Sequence, residues 1–401
     1  MKTLLCLLAL CAFSAQAETK FTYGGDAYVR GYFKNSTGPS GTQAFNQFFR
    51  VNVNAKPDDF LTVKVGAVLS SNTWEGDNHK AIYSSLTQNT GTAVGGTNDD
   101  GFGNDNVTRL DHAVIEYNKD NWITSVGRHA VTTPGGFLTS DDRRDRIQVL
   151  KIRDNYDVFA FAYDKRAEGS LTDAKDDLDM VSLNYYGAIA GYKYALQTGY
   201  WWSKKYALGT SGFNGVNLDN IKQVSPQIEG NIADVVYFNF YYTLLFGGSA
   251  YYKDDHHAAA LKLTKDFDVL KVELQSMVTK DGGLIAGGFD SLSSIVNNSP
   301  DHNNSSIKLK TIGFGLGNKA SDESLHMIRV SKSFLTDFTA SIGGGYGEFY
   351  TTATTPKEKN TVVDATTRYN ISQYLTLSAA YGHFFGDNKD HAGSLTLKAT
   401  F

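Results

Sequence analysis

The sequence has 401 residues, with 38 Lys and Arg against 42 Asp and Glu and a formal net charge of −4. The two signs are interspersed rather than clustered, which argues against a nucleic-acid partner. The 39 Gly, 23 Tyr and 24 Phe beside only 6 Pro are typical of a large antiparallel sheet, because proline interrupts strand pairing.

The first 17 residues have the three parts of a secretory signal peptide. Lys2 supplies a positive charge, residues 4–13 are apolar, and residues 15–17 (Ala-Gln-Ala) form a small-x-small cleavage site. Cleavage there predicts an exported mature chain, residues 18–401, which we expect to form one domain.

Both cysteines, Cys6 and Cys11, lie in this leader. The mature chain is therefore expected to contain no disulfide and no cysteine metal site. Acylation of Cys11, as in a lipoprotein, is the alternative. Leu10 disfavours it, because a small residue is expected before such a cysteine.

Alternation with a period of two dominates the mature sequence. In residues 61–66 apolar side chains hold the odd positions and polar or small ones the even positions, and residues 394–401 repeat the pattern. Successive strand residues point to opposite faces. We therefore expect an apolar face that includes Gly31, Val63 and Leu397 and a polar face that includes Arg30, Lys64 and Lys398.

In chain order, the candidate strands are 20–34, 44–56, 60–71, 107–118, 122–131, 146–153, 156–165, 177–187, 191–203, 221–232, 235–251, 257–265, 268–278, 324–333, 338–351, 359–370, 374–386 and 390–401. Two of them alternate poorly: 221–232 contains Pro226, and 235–251 is apolar on both faces. Residues 307–317 also resemble a strand, but they would make the number odd, so we assign them to a large external loop.

These strands are about ten residues long, enough to cross a bilayer at a tilt, whereas strands of soluble sheets average about five or six. Tight turns alternate with wide polar connections, and aromatic residues flank the tight turns, as in barrels of the outer membrane. The sequence thus predicts an all-β fold, a transmembrane antiparallel β-barrel of 16–18 strands with 18 favoured. No run of about 20 apolar residues predicts a spanning helix in the mature chain.

The last segment, Ser394 to Phe401, is an alternating strand that closes on an aromatic residue. It resembles the assembly signal of Gram-negative outer-membrane porins, which the barrel insertion machinery reads. A second stretch, Val126-Gly127-Arg128-His129 with Thr133-Pro134 and residues 140–144, is similar to OprD-type, eighteen-stranded porins, although the proline expected after the arginines is absent.

This resemblance implies an outer-membrane channel for passive diffusion of ions and small hydrophilic solutes. Its implied partners are outer-membrane lipid, lipopolysaccharide, the insertion machinery through Phe401, and two further copies of the chain in a homotrimer.

The resemblance also implies that a loop near residues 132–145 folds into the lumen. The expected constriction then combines Arg30, Arg50, Lys64, Arg128, Asp141, Asp142, Arg143 and Arg144, whose opposed charges would create a transverse field. Alternatively, residues 141–144 form a solvated turn.

Other functions find less support. Residues 254–257 (Asp-Asp-His-His) lack the spacing of a zinc site, whereas Ca²⁺ binding by the oxygens of residues 98–105 stays open. The absence of a Gly-x-Ser-x-Gly motif argues against a hydrolase, so we expect no catalytic residue, no cofactor and no metal. A structural or adhesive barrel that acts through its external loops is the alternative function.

Overall fold

A computed structural model of the chain describes residues 19–35, 42–73, 109–140, 142–154, 157–167, 178–202, 220–247, 255–297, 307–313, 322–350 and 357–401. Within these ranges the regular structure consists almost entirely of β-strands, with a 3-10 turn at Pro134–Gly136. The expected signal peptide lies outside the described residues. In the part of the chain that is described, no helix is long and apolar enough to span a membrane.

The described residues form eighteen strands: β1 (Lys20–Asn35), β2 (Thr42–Lys56), β3 (Leu61–Thr73), β4 (Arg109–Lys119), β5 (Trp122–Val131), β6 (Asp142–Asp154), β7 (Asp157–Ala167), β8 (Leu178–Ile189), β9 (Tyr192–Trp202), β10 (Ile221–Ile232), β11 (Val236–Phe246), β12 (His256–Asp266), β13 (Lys271–Lys280), β14 (Ser324–Leu335), β15 (Phe338–Phe349), β16 (Glu358–Ser372), β17 (Leu375–Gly386) and β18 (His391–Thr400).

The sheet closes on itself. Each strand pairs with its neighbours in sequence, and β18 pairs antiparallel with β1, with Leu397 opposite Val29. Closure leaves no free edge and satisfies the backbone donors and acceptors between strands, which a structure in hydrocarbon requires. The predicted barrel and the favoured count of eighteen are confirmed, and the alternative of sixteen strands is wrong.

The outer face of the barrel is apolar. On β18, Leu395 and Leu397 are 56% and 42% exposed, whereas Thr396 between them is fully buried. Arg30 lies opposite Thr396 and is also fully buried. The barrel thus exposes its large apolar side chains and encloses polar ones, as expected of a sheet surrounded by lipid.

The two ends of the barrel differ. At one end, which we call the short-turn end, the strands are joined by two to four residues, as at 120–121 and 336–337. The other end, the long-loop end, carries the wide connections, of which the longest span residues 74–108 and 281–323. Aromatic side chains surround the short-turn end, including Trp122, Phe267, Phe334 and Tyr374.

Both poorly alternating segments are strands, β10 and β11. Pro226 lacks the N–H that a strand donates, and the pairing of β10 with β11 accordingly skips Ser225 and Pro226 while β10 stays paired with β9. Residues 307–313, in contrast, form only an isolated bridge to Val296. They belong to a loop, as predicted, but Ile307 and Ile312 are fully buried, so this part of the loop is internal rather than external.

Candidate functional site

A row of charged side chains follows the inner side of β1 to β7, and Arg143, which alternation places on the same side of β6 as Asp145, joins the row through its contact with Asp111. We call these residues the charged wall: Asp26, Arg30, Arg50, Lys64, Asp111, Glu116, Asp142, Arg143, Arg144, Arg146 and Asp164. Six are basic and five acidic, so the wall is nearly neutral overall but strongly polar.

Asp111 on β4 is the first centre of the charged wall. In the pairing of β3 with β4, the register shifts between Gly66 and Ala67 and leaves Asp111 as an extra residue. Such a bulge redirects a side chain. Arg143 donates to both carboxylate oxygens of Asp111 (Nε–Oδ1 2.9 Å, Nη2–Oδ2 3.0 Å), and Nη1 of Arg50 lies 3.3 Å from Oδ2. One carboxylate therefore joins arginines from β2 and β6.

Arg143 on β6 contacts Asp111 on β4 although β5 lies between these two strands, and the pairing of β4 with β5 explains how. Beyond Ala113 and Arg128, β4 no longer pairs with β5. The separated strand ends leave space in which the Arg143 and Asp111 side chains meet.

Asp164 on β7 is the second centre. Its side chain is only 1% exposed, and it accepts hydrogen bonds from Arg146 at both oxygens (2.5 and 2.8 Å) and from Nη1 of Arg144 (2.9 Å). Arg144 also donates to Asp142 (3.0 Å) and to the hydroxyl of Thr139 (2.6 Å). A buried carboxylate is costly unless it is paired, and the two guanidinium groups supply that pairing.

The other expected site residues lie apart from these two centres. Arg30 donates to Asn46 (3.2 Å) and to the Tyr28 hydroxyl (3.1 Å), and Lys64 pairs with Glu116 at 2.8 Å.

Arg128 does not join the charged wall. It pairs with Asp145 at 3.5 Å, and the two side chains are 40% and 65% exposed. The pair lies two residues beyond the exposed Val126 and Ile147, which are also opposite each other, so strand alternation places it on the outer face. The expectation that Arg128 belongs to the constriction is therefore wrong. Asp141 lies outside the described residues.

The loop after β5, which we call the first inner loop (residues 132–140), reaches across the barrel interior. The hydroxyl oxygen of Thr133 accepts hydrogen bonds from the backbone amides of Leu138 and Thr139. These two bonds fold the loop tightly. Phe137 stacks on Tyr241 of β11 with the ring centroids 5.4 Å apart. Five strands separate β5 from β11, so this contact spans the interior.

The loop after β13, the second inner loop (residues 281–297 and 307–313 as described), covers the inner faces of β11 to β18. Ile285, Leu292, Ile295 and Ile307 are fully buried in one apolar cluster with side chains of these strands. Each such burial is worth about 2 kcal/mol.

Polar contacts attach the second inner loop to the barrel. Nζ of Lys262 lies between Glu273 (3.0 Å) and Asp290 (3.1 Å), and Lys310 pairs with Glu358 at 2.8 Å. The amide of Ser294 donates to the carboxylate of Asp364, which is 1% exposed and lies beside Arg329. The loop is therefore an integral part of the interior, and the charged wall faces it from the opposite side.

Sequence reasoning identified Arg50, Arg143 and Arg144 but missed their partners Asp111 and Asp164. A signal was available, since both are ionisable residues inside spanning strands, and such residues in membrane segments are costly and usually paired. The second inner loop was missed because its apolar residues are scattered without a period.

No protein-family model and no curated protein sequence matches the chain. Solved structures are similar to it, among them OccK2 (OpdF) of Pseudomonas aeruginosa in complex with glucuronate, with a TM-score of 0.63 and 12% identity over 95% of this chain and 98% of that chain. A BenF-like porin from Pseudomonas fluorescens Pf-5 gives a TM-score of 0.65 at 12% identity, over 96% and 100% of the two chains. Pseudomonas aeruginosa OpdK with vanillate gives 0.60 at 13% identity, over 94% and 98%. The chain thus has the fold of these outer-membrane porins.

Proposed function

We propose that the chain is an outer-membrane porin, a water-filled channel through which ions and small hydrophilic solutes diffuse passively. The observation that carries this proposal is the position of the charged wall on β1 to β7, opposite the two inner loops. An eighteen-stranded barrel is too wide for its own side chains to fill. The space between the wall and the loops is then the pathway, and the proposal assigns no bond-breaking chemistry to the chain.

In this proposal the constriction lies between the first inner loop and the two carboxylate centres. Arg50, Arg143, Arg144 and Arg146 would present guanidinium groups to the pathway, with Asp111 and Asp164 between them. Arg30, Lys64 and Asp142 would flank it. Opposed charges at close quarters orient dipolar solutes and disfavour bulky apolar ones.

The solutes that suit this wall are small and polar, and a carboxylate group would match the planar guanidinium donors. The similar structures of OccK2 and OpdK hold glucuronate and vanillate respectively, and both ligands are carboxylates. We therefore include small carboxylates among the solutes that this channel would pass.

The remaining parts of the proposal concern location and assembly. A cleaved signal peptide at residues 1–17 would direct export to the Gram-negative outer membrane. There the barrel would contact lipid and lipopolysaccharide, insert with the help of the assembly machinery through Phe401, and associate as a homotrimer.

Single-channel recording in planar bilayers tests this function. Folded protein should give stepwise current, and replacement of Arg143 with Gln should shift the reversal potential towards cations, because the wall loses one positive charge. Lys332→Gln, a change on the outer face at the short-turn end, is the matched control and should behave as the wild type. A folded barrel that carries no current would favour the structural or adhesive alternative.

A further inference from the structure

Hydroxyl side chains cover the inner face of β14 to β17 between the short-turn end and the second inner loop. In one row across the sheet, Ser331 lies opposite Ser341, and Ser341 lies opposite Thr366. A second row, closer to the turns, centres on Arg368. We call these residues the hydroxyl patch: Ser331, Ser333, Thr339, Ser341, Thr366, Arg368, Asn370, Thr376 and Ser378.

Strand alternation turns the hydroxyl patch towards the interior of the barrel. On β16, the carboxylate of Asp364 accepts the amide of Ser294 in the second inner loop, so Thr366 and Arg368 also point inward. Tyr369, which follows Arg368, points outward and is 44% exposed. The patch therefore borders the space enclosed by the barrel and does not contact lipid.

The hydroxyl patch lies nearer the short-turn end than the two carboxylate centres do. Arg368 is four residues from Ser372, where β16 ends, whereas Arg146 is eight residues from Asp154, where β6 ends. At about 3.3 Å per residue along a tilted strand, the two levels differ by roughly 10 Å. A solute that leaves the constriction towards the short turns would therefore meet the patch next.

Arg368 gives the hydroxyl patch a positive charge. Among the described residues of β14 to β17, it is the one charged side chain on the inner face between the short turns and the pair formed by Arg329 and Asp364. Its Nε donates to Asn370 at 3.2 Å, and no described carboxylate lies within ion-pair distance of it. An exposed guanidinium of this kind can bind a carboxylate through two parallel hydrogen bonds.

Several hydroxyls of the patch can accept a solute as partner. The hydroxyls of Ser341, Thr366 and Ser378 have no hydrogen-bond partner among the described residues, and all three side chains are only half-buried. A hydroxyl group both donates and accepts. Three such groups beside one guanidinium therefore match a molecule that carries several hydroxyls and one carboxylate.

The inner face of β8 to β11 is also uncharged and polar at this level. Asn184 lies opposite Gln197, and Gln227 lies opposite Tyr241, whose hydroxyl accepts a hydrogen bond of 3.3 Å from Asn239. Each of these residues is within five positions of the short-turn end of its strand. Hydrogen-bonding groups without charge thus line two sides of the interior beyond the constriction.

We propose that the hydroxyl patch is a second solute site beyond the constriction, and that it favours carboxylates with several hydroxyl groups, the sugar acids, over apolar carboxylates. The proposal rests on the channel of the proposed function. An apolar ring at the patch would remove water from its hydroxyls without replacing those hydrogen bonds, and a site built to bond hydroxyls discriminates strongly against a solute that lacks them.

A pair of matched solutes, glucuronate and cyclohexanecarboxylate, tests the proposal. Both have a six-membered ring and one carboxylate, and their permeability ratio follows from bi-ionic reversal potentials at pH 7.5. In the triple variant Ser341→Ala, Thr366→Val and Ser378→Ala, the ratio of glucuronate to cyclohexanecarboxylate should fall about fivefold or more, because each lost hydrogen bond weakens binding by a factor of about two to ten.

The control for the triple variant removes three hydroxyls from the outer face, with Thr124→Val, Thr361→Val and Thr367→Val. It should keep the wild-type permeability ratio. Wild-type conductance in KCl shows that each variant forms an intact barrel. An unchanged ratio in the triple variant, or the same fall in both variants, would overturn the proposal.

The role of Arg368 is tested with Arg368→Lys, which keeps the charge but loses the planar pair of donors. The permeability of both acids relative to chloride should fall several-fold, while the ratio between the two acids and the selectivity between K⁺ and Cl⁻ stay near the wild type. Arg153→Lys, at a side chain that is 62% exposed near the short turns, is the matched control. Equal effects of the two changes would remove Arg368 from the site.

A measurement without current separates this proposal from that of the channel. Saturation-transfer NMR of glucuronate with the folded, detergent-solubilised barrel should give a signal that falls several-fold in the triple variant and not in its control. A barrel that carries current but gives equal signals for all three proteins would leave the channel standing and overturn the site. A barrel that binds glucuronate in this way but carries no current would overturn the channel alone.

Discussion

The amide of Ala286 donates a hydrogen bond of 2.7 Å to the carbonyl of Phe137. These residues belong to the second and first inner loops, so the bond joins two connections that start eight strands apart. Phe289 adds an edge-on contact with Phe137 at 5.0 Å. The two loops therefore support each other, and changes in one are expected to affect the other.

The first prediction concerns this junction. Gly135 has φ 63°, and a Cβ there would lie 2.2 Å from the Tyr241 hydroxyl. Gly135→Ala should displace the first inner loop and increase the single-channel conductance. Gly191→Ala is the control, because Gly191 also has positive φ but has nothing within 4 Å of its Cβ position. Each change costs about 1–2 kcal/mol of backbone strain, so equal conductances of the two variants would exclude a role for the contact with Tyr241.

The second prediction concerns selectivity. Asp111→Asn leaves Arg50 and Arg143 without their shared carboxylate and should shift the reversal potential towards anions. A charge about 8 Å from a passing ion contributes on the order of 2 kcal/mol at an effective dielectric of 20. Salt at about 0.1 M screens the interaction between charges over about 10 Å, so the shift in the reversal potential should be smaller at 1 M salt.

Asp59→Asn is the matched control for Asp111→Asn, because Asp59 is 92% exposed at the short-turn end. If both variants give the same negligible shift, Asp111 does not border the pathway.

The third prediction concerns the attachment of the second inner loop. Asp364→Asn removes the buried negative charge that faces Arg329, and breaking such a pair from one side costs about 3 kcal/mol or more. The variant should unfold at a lower temperature, as measured by heat-modifiable mobility in electrophoresis. An unfolding temperature equal to that of the wild type would show that this ion pair does not stabilise the barrel.

The fourth prediction concerns topology. Alternation places Val63 towards lipid and Lys64 towards the interior, where it pairs with Glu116. In a chain that begins at residue 18, and so lacks Cys6 and Cys11, a cysteine at position 64 should react with a water-soluble maleimide, and a cysteine at position 63 should not. The reverse result would contradict the register of β3.

The fifth prediction concerns assembly. The backbone of Phe401 exchanges hydrogen bonds of 2.8 and 3.1 Å with Gly25, and its ring lies 6.0 Å from that of Phe49. Deletion of Phe401 removes these closing contacts and should slow the appearance of the folded form in a time course of assembly. Phe401→Tyr should restore the rate, because an aromatic ring remains. A deletion variant that folds at the wild-type rate would exclude the assembly role.

Much of the barrel followed from the sequence alone. The period of two is a local property of each strand, so Lys64 and Leu397 could be assigned to faces without any knowledge of their neighbours. The number of strands was predicted from the turns between them and from the requirement that the number be even. The same requirement assigned residues 307–317 to a loop and not to the sheet.

The candidate site depended on the tertiary structure. Asp111 and Arg143 are 32 positions apart, and their contact exists only because a bulge and a separation of strand ends bring them together. The second inner loop carries no periodic pattern, since its apolar residues meet the curved inner surface of eight strands and not a flat sheet. Alternation is set by the geometry of a single strand, whereas these contacts require the closed barrel, and only the closed barrel decides which charges meet.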